Sequence, residues 1–146
     1  MEPFFILMKF IVTKVYFNEF IFSQLCRNLY NSLSLSDRRE INLQTVFTYR
    51  KFITEIHDTY GRHLRNELKL WDKSSKIVRW FKKTYDIDHA DDISSLIIVG
   101  MIFRNNVSNR EAAIRESVFN FKAHWEKYGE QFMSNNILSF ITEEKQ

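Results

Sequence analysis

DDISSLIIVGMIF, residues 91–103, decides how this chain folds. Ile93, Leu96, Ile97, Ile98, Val99, Met101, Ile102 and Phe103 would place apolar groups on nearly every side of a helix. A helix that is apolar all round belongs inside a protein or a membrane. Thirteen residues at a rise of 1.5 Å span only about 20 Å, short of a bilayer. The pattern therefore predicts a central hydrophobic helix near 91–104. Asp91 and Asp92 suit its N-terminus, where the helix dipole favours negative charge. Gly100 would let a neighbouring helix come close, and Arg104, Asn105 and Asn106 form a polar stop.

Beyond that stop, Ile114, Val118, Phe121, Trp125, Tyr128 and Phe132 recur at threes and fours, which puts them on one helical stripe. Ser108 and Glu111 have the spacing of a capping box at its entrance. The stripe predicts a long helix covering the central one; its heptad-like spacing also suits a coiled-coil seam. Asn135–Thr142 reads as a last short helix, with Ile137, Leu138 and Ile141 inward.

On the N-terminal side, Ser74–Tyr85 is amphipathic. Ile77, Val78, Phe81 and Tyr85 face inward, and Lys73, Lys76, Arg79, Lys82 and Lys83 face outward. Ile41–Trp71 is the longest periodic pattern and contains Gly61, where the helix would bend or end. Ser34–Arg39 reads as a polar connector, and Asn18–Leu33 as a helix capped by Asn18. Residues 3–22 are apolar but interrupted by Lys9, Lys14 and Glu19, which suits neither a signal peptide nor a span. A helix is expected there, with a short strand over 10–17 as the alternative. Met8 offers an alternative start.

With 146 residues, 45% of them hydrophobic, the chain can hold one core, and residues 1–146 are read as a single helical domain. Three Gly and one Pro leave few residues for the tight turns of a sheet. The expected fold is all-α: a compact bundle of five to seven helices around the 91–104 helix. That layout is similar to the plan of Bcl-2-like proteins, without a shared motif. Cys26 is the sole cysteine, so no intrachain disulfide forms, which fits a reducing, cytoplasmic setting.

Charge is concentrated. Between Arg62 and Lys83 stand eight basic and two acidic residues, a local net of +6 in a chain of +3. Arg62, Arg65, Lys69, Lys73, Lys76, Arg79, Trp80 and Lys83 are the expected partner-binding residues, with Trp71 among them. Basic groups beside aromatic rings suit an acidic protein surface or, alternatively, a nucleic acid.

Catalytic motifs do not emerge. His57, His63, His89 and His124 lack metal-ligand spacing, and neither a phosphate-binding glycine loop nor a Gly-x-Ser-x-Gly elbow occurs. Arg50 and His57, six residues apart in between, weakly match an Arg…His pattern of some helical nucleases, but Lys51 fills its polar place. Cys26 reads as a buried, inert thiol. The expectation is a non-enzymatic protein of inhibitor, immunity or regulatory type, working by stoichiometric association, with no cofactor and no metal. The alternative is a nucleic-acid-binding protein using the Arg62–Lys83 face.

Overall fold

The computed structural model describes residues 17–144, with side chains through residue 129. Among these residues the chain forms α1 (Glu19–Ser32), α2 (Leu35–Asn42), α3 (Tyr49–Glu55), a π-helical turn (His57–Gly61), α4 (Arg62–Glu67), α5 (Lys76–Tyr85), α6 (Ala90–Ile102) and α7 (Val107–Glu144). The described part is an all-α bundle, without a strand. The expected strand-or-helix stretch at 10–16 lies outside the described residues.

Helix α6 is the axis. Every residue from Ala90 to Ile102 except Asp91 is buried, and every other described element packs on it. Burying an aliphatic side chain contributes roughly 1.5–3 kcal/mol, so α6 is the largest single source of cohesion. His89, rather than either aspartate, caps its start: His89 Nδ1 accepts the Asp91 N–H at 3.2 Å.

Gly100 does allow a close approach. A Cβ there would lie 2.5 Å from Cys26 Sγ and 3.0 Å from Phe22 Cζ, so α1 rests directly on the α6 backbone. Cys26 is fully buried and its Sγ donates to the Ile97 carbonyl at 3.7 Å. Burial pushes that thiol well above the usual range, which keeps it protonated and inert.

Three boundaries differ from expectation. Ser34–Arg39 is not a connector: Ser34 Oγ accepts the Asp37 N–H at 3.1 Å and starts α2, of which only Ile41 is buried. The long Ile41–Trp71 pattern is broken at 43–48, where Thr45 and Thr48 hydroxyls take the Phe47 and Thr45 N–H groups at 3.2 and 2.9 Å. Such side-chain bonds compete with helix formation. The last helix starts one residue before Ser108, and Asn106 Oδ1 caps it by accepting the Asn109 N–H at 3.0 Å. It then runs unbroken to Glu144, absorbing the separate helix expected at 135–142.

Among the described side chains, the cover on the α7 stripe thins along the helix. Ile114 is buried, Val118, Phe121 and Trp125 are half-buried, and Tyr128 is 54% exposed. No helix among the described residues is long and apolar enough to cross a membrane.

Candidate functional site

The π turn is where the helical pattern yields. The Gly61 N–H reaches back five residues to the Ile56 carbonyl at 3.0 Å. Turns of this kind cost helical regularity and often stand beside functional sites. Gly61 is needed here for space: a Cβ would come within 3.0 Å of Arg65 Nη1. Arg65, one turn on, is 4% exposed. Its Nη1 donates to Ser94 Oγ and its Nη2 to the His57 carbonyl, both at 3.1 Å. Its Nε stands 3.3 Å from Asp91 Oδ1, an ion pair without hydrogen-bond alignment. A buried cation is costly unless so compensated. Arg65 thus ties the π turn to the first turn of α6 and fixes the Asp91 carboxylate.

Asp91 and Asp92 open onto a cleft of about 560 Å³ between α3, the π turn, the start of α6 and α7. Its apolar walls are Tyr49, Ile53, Phe121 and Trp125; Asp58, Asp91 and Asp92 supply negative charge, with Arg50, His57 and His124 beside them. Trp125 Nε1 donates to Asp92 Oδ2 at 2.7 Å. Burial raises the Asp92 carboxyl above its usual range, and the Trp125 bond partly offsets this. His57 Nε2 stands 3.8 Å from Asp91 Oδ1, beyond hydrogen-bond reach. His89 Nδ1, which accepts the Asp91 backbone N–H, stands 3.7 Å from Asp91 Oδ2, also beyond hydrogen-bond reach.

An aromatic row leads away from Trp125 of the cleft wall. Trp71, 58% exposed, meets His89 at 6.0 Å; His89 lies over Trp125 at 4.6 Å; Trp125 meets Tyr128 edge-on at 5.7 Å. A smaller depression of about 270 Å³, lined by Asp86, Asp88, His89 and Lys122, shares Asp92 and Trp125 with the main cleft.

The expected basic face is only partly assembled. Lys73, Arg79, Lys82 and Lys83 border one shallow depression, but Asp88 lies among them. Lys73 Nζ is 3.4 Å from Asp88 Oδ2, and Lys82 Nζ bonds Asp86 Oδ1 at 2.6 Å. Arg62 and Lys69 are exposed on or just after α4, and Lys76 is half-buried on α5. Two residues do not belong to that face. Arg65 is buried because its charge is spent inside the fold. Trp80 is half-buried, its ring 5.2 Å from Phe17, 5.5 Å from Phe22, 5.0 Å from Phe81 and 5.7 Å from Tyr85, so it serves the core.

The cleft residues were individually visible in sequence. Asp91 and Asp92 read as ordinary helix-start carboxylates, and Arg50 and His57 as an ordinary helical spacing. The one available signal was Gly61 four residues before Arg65, inside an otherwise apolar periodic run. Among the described residues, no three His, Cys, Asp or Glu side chains converge to hold a metal ion.

No curated protein and no solved structure matches the chain. A family model described as Domain of unknown function (DUF6794) matches residues 26–105. That span includes the π turn, Arg65 and α6, and stops short of α7, which brings Phe121, His124 and Trp125 to the cleft. Since the matched span is more than half of the sequence, the chain belongs to the family described as Domain of unknown function (DUF6794).

Proposed function

We propose that the protein is a non-enzymatic binding module that takes a basic side chain of a macromolecular partner in the cleft between the π turn, α6 and α7. The observation that carries this is the lining itself. The lining holds three carboxylates and one arginine next to the indole of Trp125, and with Arg65 behind Asp91 the formal net is −1. A guanidinium or ammonium group between a carboxylate and an aromatic wall gains both charge pairing and a cation–π contact, the latter about 0.5–2 kcal/mol. Arg65 holds Asp91 from behind, so little ordering remains to be done on binding, and preorganisation of this kind favours affinity. Tyr128, exposed beside Trp125, extends the wall as an aromatic anchor.

Two features favour holding over chemistry. His57 and Asp91 stand out of hydrogen-bond reach, and Asp91 already answers Arg65. Arg50 and His57 do share the cleft, as a nuclease pair would, but Asp58, Asp91 and Asp92 would repel a phosphodiester.

The test is a titration followed by NMR at the Trp125 indole N–H. Short peptides carrying one arginine should shift that signal saturably, and the same peptides with glutamine should not. Asp58→Asn with Asp92→Asn should weaken binding by about tenfold or more, since hydrogen bonds to charged groups are worth roughly 1.5–3 kcal/mol. Equal response to arginine and glutamine peptides would exclude this reading.

A further inference from the structure

The C-terminal end of α6 carries an arrangement unrelated to the cleft, which lies about 20 Å away at the other end of the helix. Arg104 lays its guanidinium 3.3 Å from the centroid of the Tyr30 ring, and Arg38 approaches the same ring at 5.7 Å. The group is held in place by its own bonds. Arg104 Nη1 donates to the Met101 carbonyl at 3.1 Å and Nη2 to Asn42 Oδ1 at 2.9 Å. Asn42 Nδ2 donates in turn to the Tyr30 hydroxyl at 2.7 Å, and Arg38 Nη2 donates to the Asn31 carbonyl. Arg27, Tyr30, Asn31, Arg104 and Asn105 line a depression of about 260 Å³.

What the cluster lacks is negative charge. Among the described residues no carboxylate stands within ion-pair distance of Arg27, Arg38 or Arg104. This differs from the basic residues on and just before α5, where Asp88 pairs with Lys73 and Asp86 with Lys82. Capping explains part of the cluster, since cations favour helix C-termini. It leaves Arg27 without a role: that side chain is exposed and makes no hydrogen bond or ion pair among the described residues. It also leaves Arg104 with three of its five N–H donors unused.

We propose that this depression binds the phosphate group of a small phosphorylated molecule, gripped by Arg27 and Arg104 with the side-chain amides of Asn31 and Asn105 alongside. The planar guanidinium fork matches pairs of phosphate oxygens, and charge-assisted bonds of this type are the strong ones. A single-stranded nucleic acid is a poorer fit. It needs an extended cationic track and a free aromatic face for its bases, and here the Tyr30 ring is already covered by Arg104.

The experiment is calorimetric titration of pyrophosphate into the full chain at constant ionic strength. One saturable site is expected. Arg27→Gln should weaken it at least about tenfold while leaving the unfolding midpoint of the ligand-free protein unchanged. Arg104→Gln should weaken it as well; because Arg104 also caps α6, the Arg27 variant carries the decision. Absence of a saturable site, or unchanged affinity in Arg27→Gln, would overturn the proposal. So would binding of a short single-stranded RNA by a protein that ignores pyrophosphate.

Discussion

Replacing Gly100 by alanine sets two effects of opposite sign against each other. Alanine is the better helix former by about 1 kcal/mol, and α6 is a continuous helix, so propensity alone predicts a gain. Packing predicts a loss. The new methyl would sit 2.5 Å from Cys26 Sγ and 3.0 Å from Phe22 Cζ, whereas comfortable contacts lie near 3.5–4.0 Å. Relief needs a shift of roughly 1 Å at the sulfur and half that at the ring. Neither has room, since Cys26 and Phe22 are fully buried and Phe22 is wedged against Trp80 and Phe81. Overfilling a close-packed core costs about 1–3 kcal/mol. With two tight contacts at once the steric term outweighs the propensity gain, and Gly100→Ala should destabilise by a net of up to about 2 kcal/mol in urea unfolding, with an unchanged slope. Cys26→Ala removes the closer clash. In the double variant the Gly100→Ala penalty should shrink by 1 kcal/mol or more, the coupling expected of residues in contact. If Gly100→Ala stabilises by its helix propensity, or if the two changes simply add, α1 does not rest on the α6 backbone as described.

Two other outcomes follow from local geometry. Asp92 has a raised carboxyl pKa, so its protonated form favours the fold; that contribution is complete below the ordinary carboxylate range and is lost as pH rises through the raised value. Asp92→Asn should therefore be more stable than the parent at neutral pH and equal to it in acid, which chemical unfolding at several pH values would show; the opposite trend would mean that Trp125 outweighs burial. At the start of α7, Asn106→Ala should cost about 1 kcal/mol and Ser108→Ala less than about 0.5, because Asn106 makes the capping bond. Equal effects in thermal unfolding would return the cap to Ser108.

Much of the architecture was legible because apolar periodicity reports burial directly. Ile93–Phe103 announced its own enclosure, and Ile77, Val78 and Phe81 their inward face. What failed were boundaries set by single side-chain bonds. Ser34 turns a polar stretch into α2, and Thr45 with Thr48 stops a pattern whose apolar spacing continues undisturbed. The candidate site was harder for a different reason. Arg65 and Asp91 are 26 positions apart, and nothing in either segment says that the arginine faces inward. The same blindness to pairing affected the basic segment: a helical wheel orders Lys73, Arg79 and Lys82 correctly, but cannot show that the turn after α5 brings Asp86 and Asp88 back onto two lysines. Aromatic identity was equally ambiguous, since Trp71 and Trp80 look alike in sequence while one lies at the surface and the other packs, half-buried, against the core.

The enclosure of α6, whose residues are all buried except Asp91, also governs how the molecule opens. An amide exchanges with solvent only when its carbonyl partner lets go, and elements at the surface can do so locally. Helix α6 has no such freedom, because each neighbour that shields it is a different part of the chain, and freeing its backbone means detaching most of them together. Its amide protons should be among the slowest to exchange, at a rate set by unfolding of the whole, while those of the π turn report on smaller openings. Comparing the two clocks in one sample would separate loss of the cleft from loss of the fold.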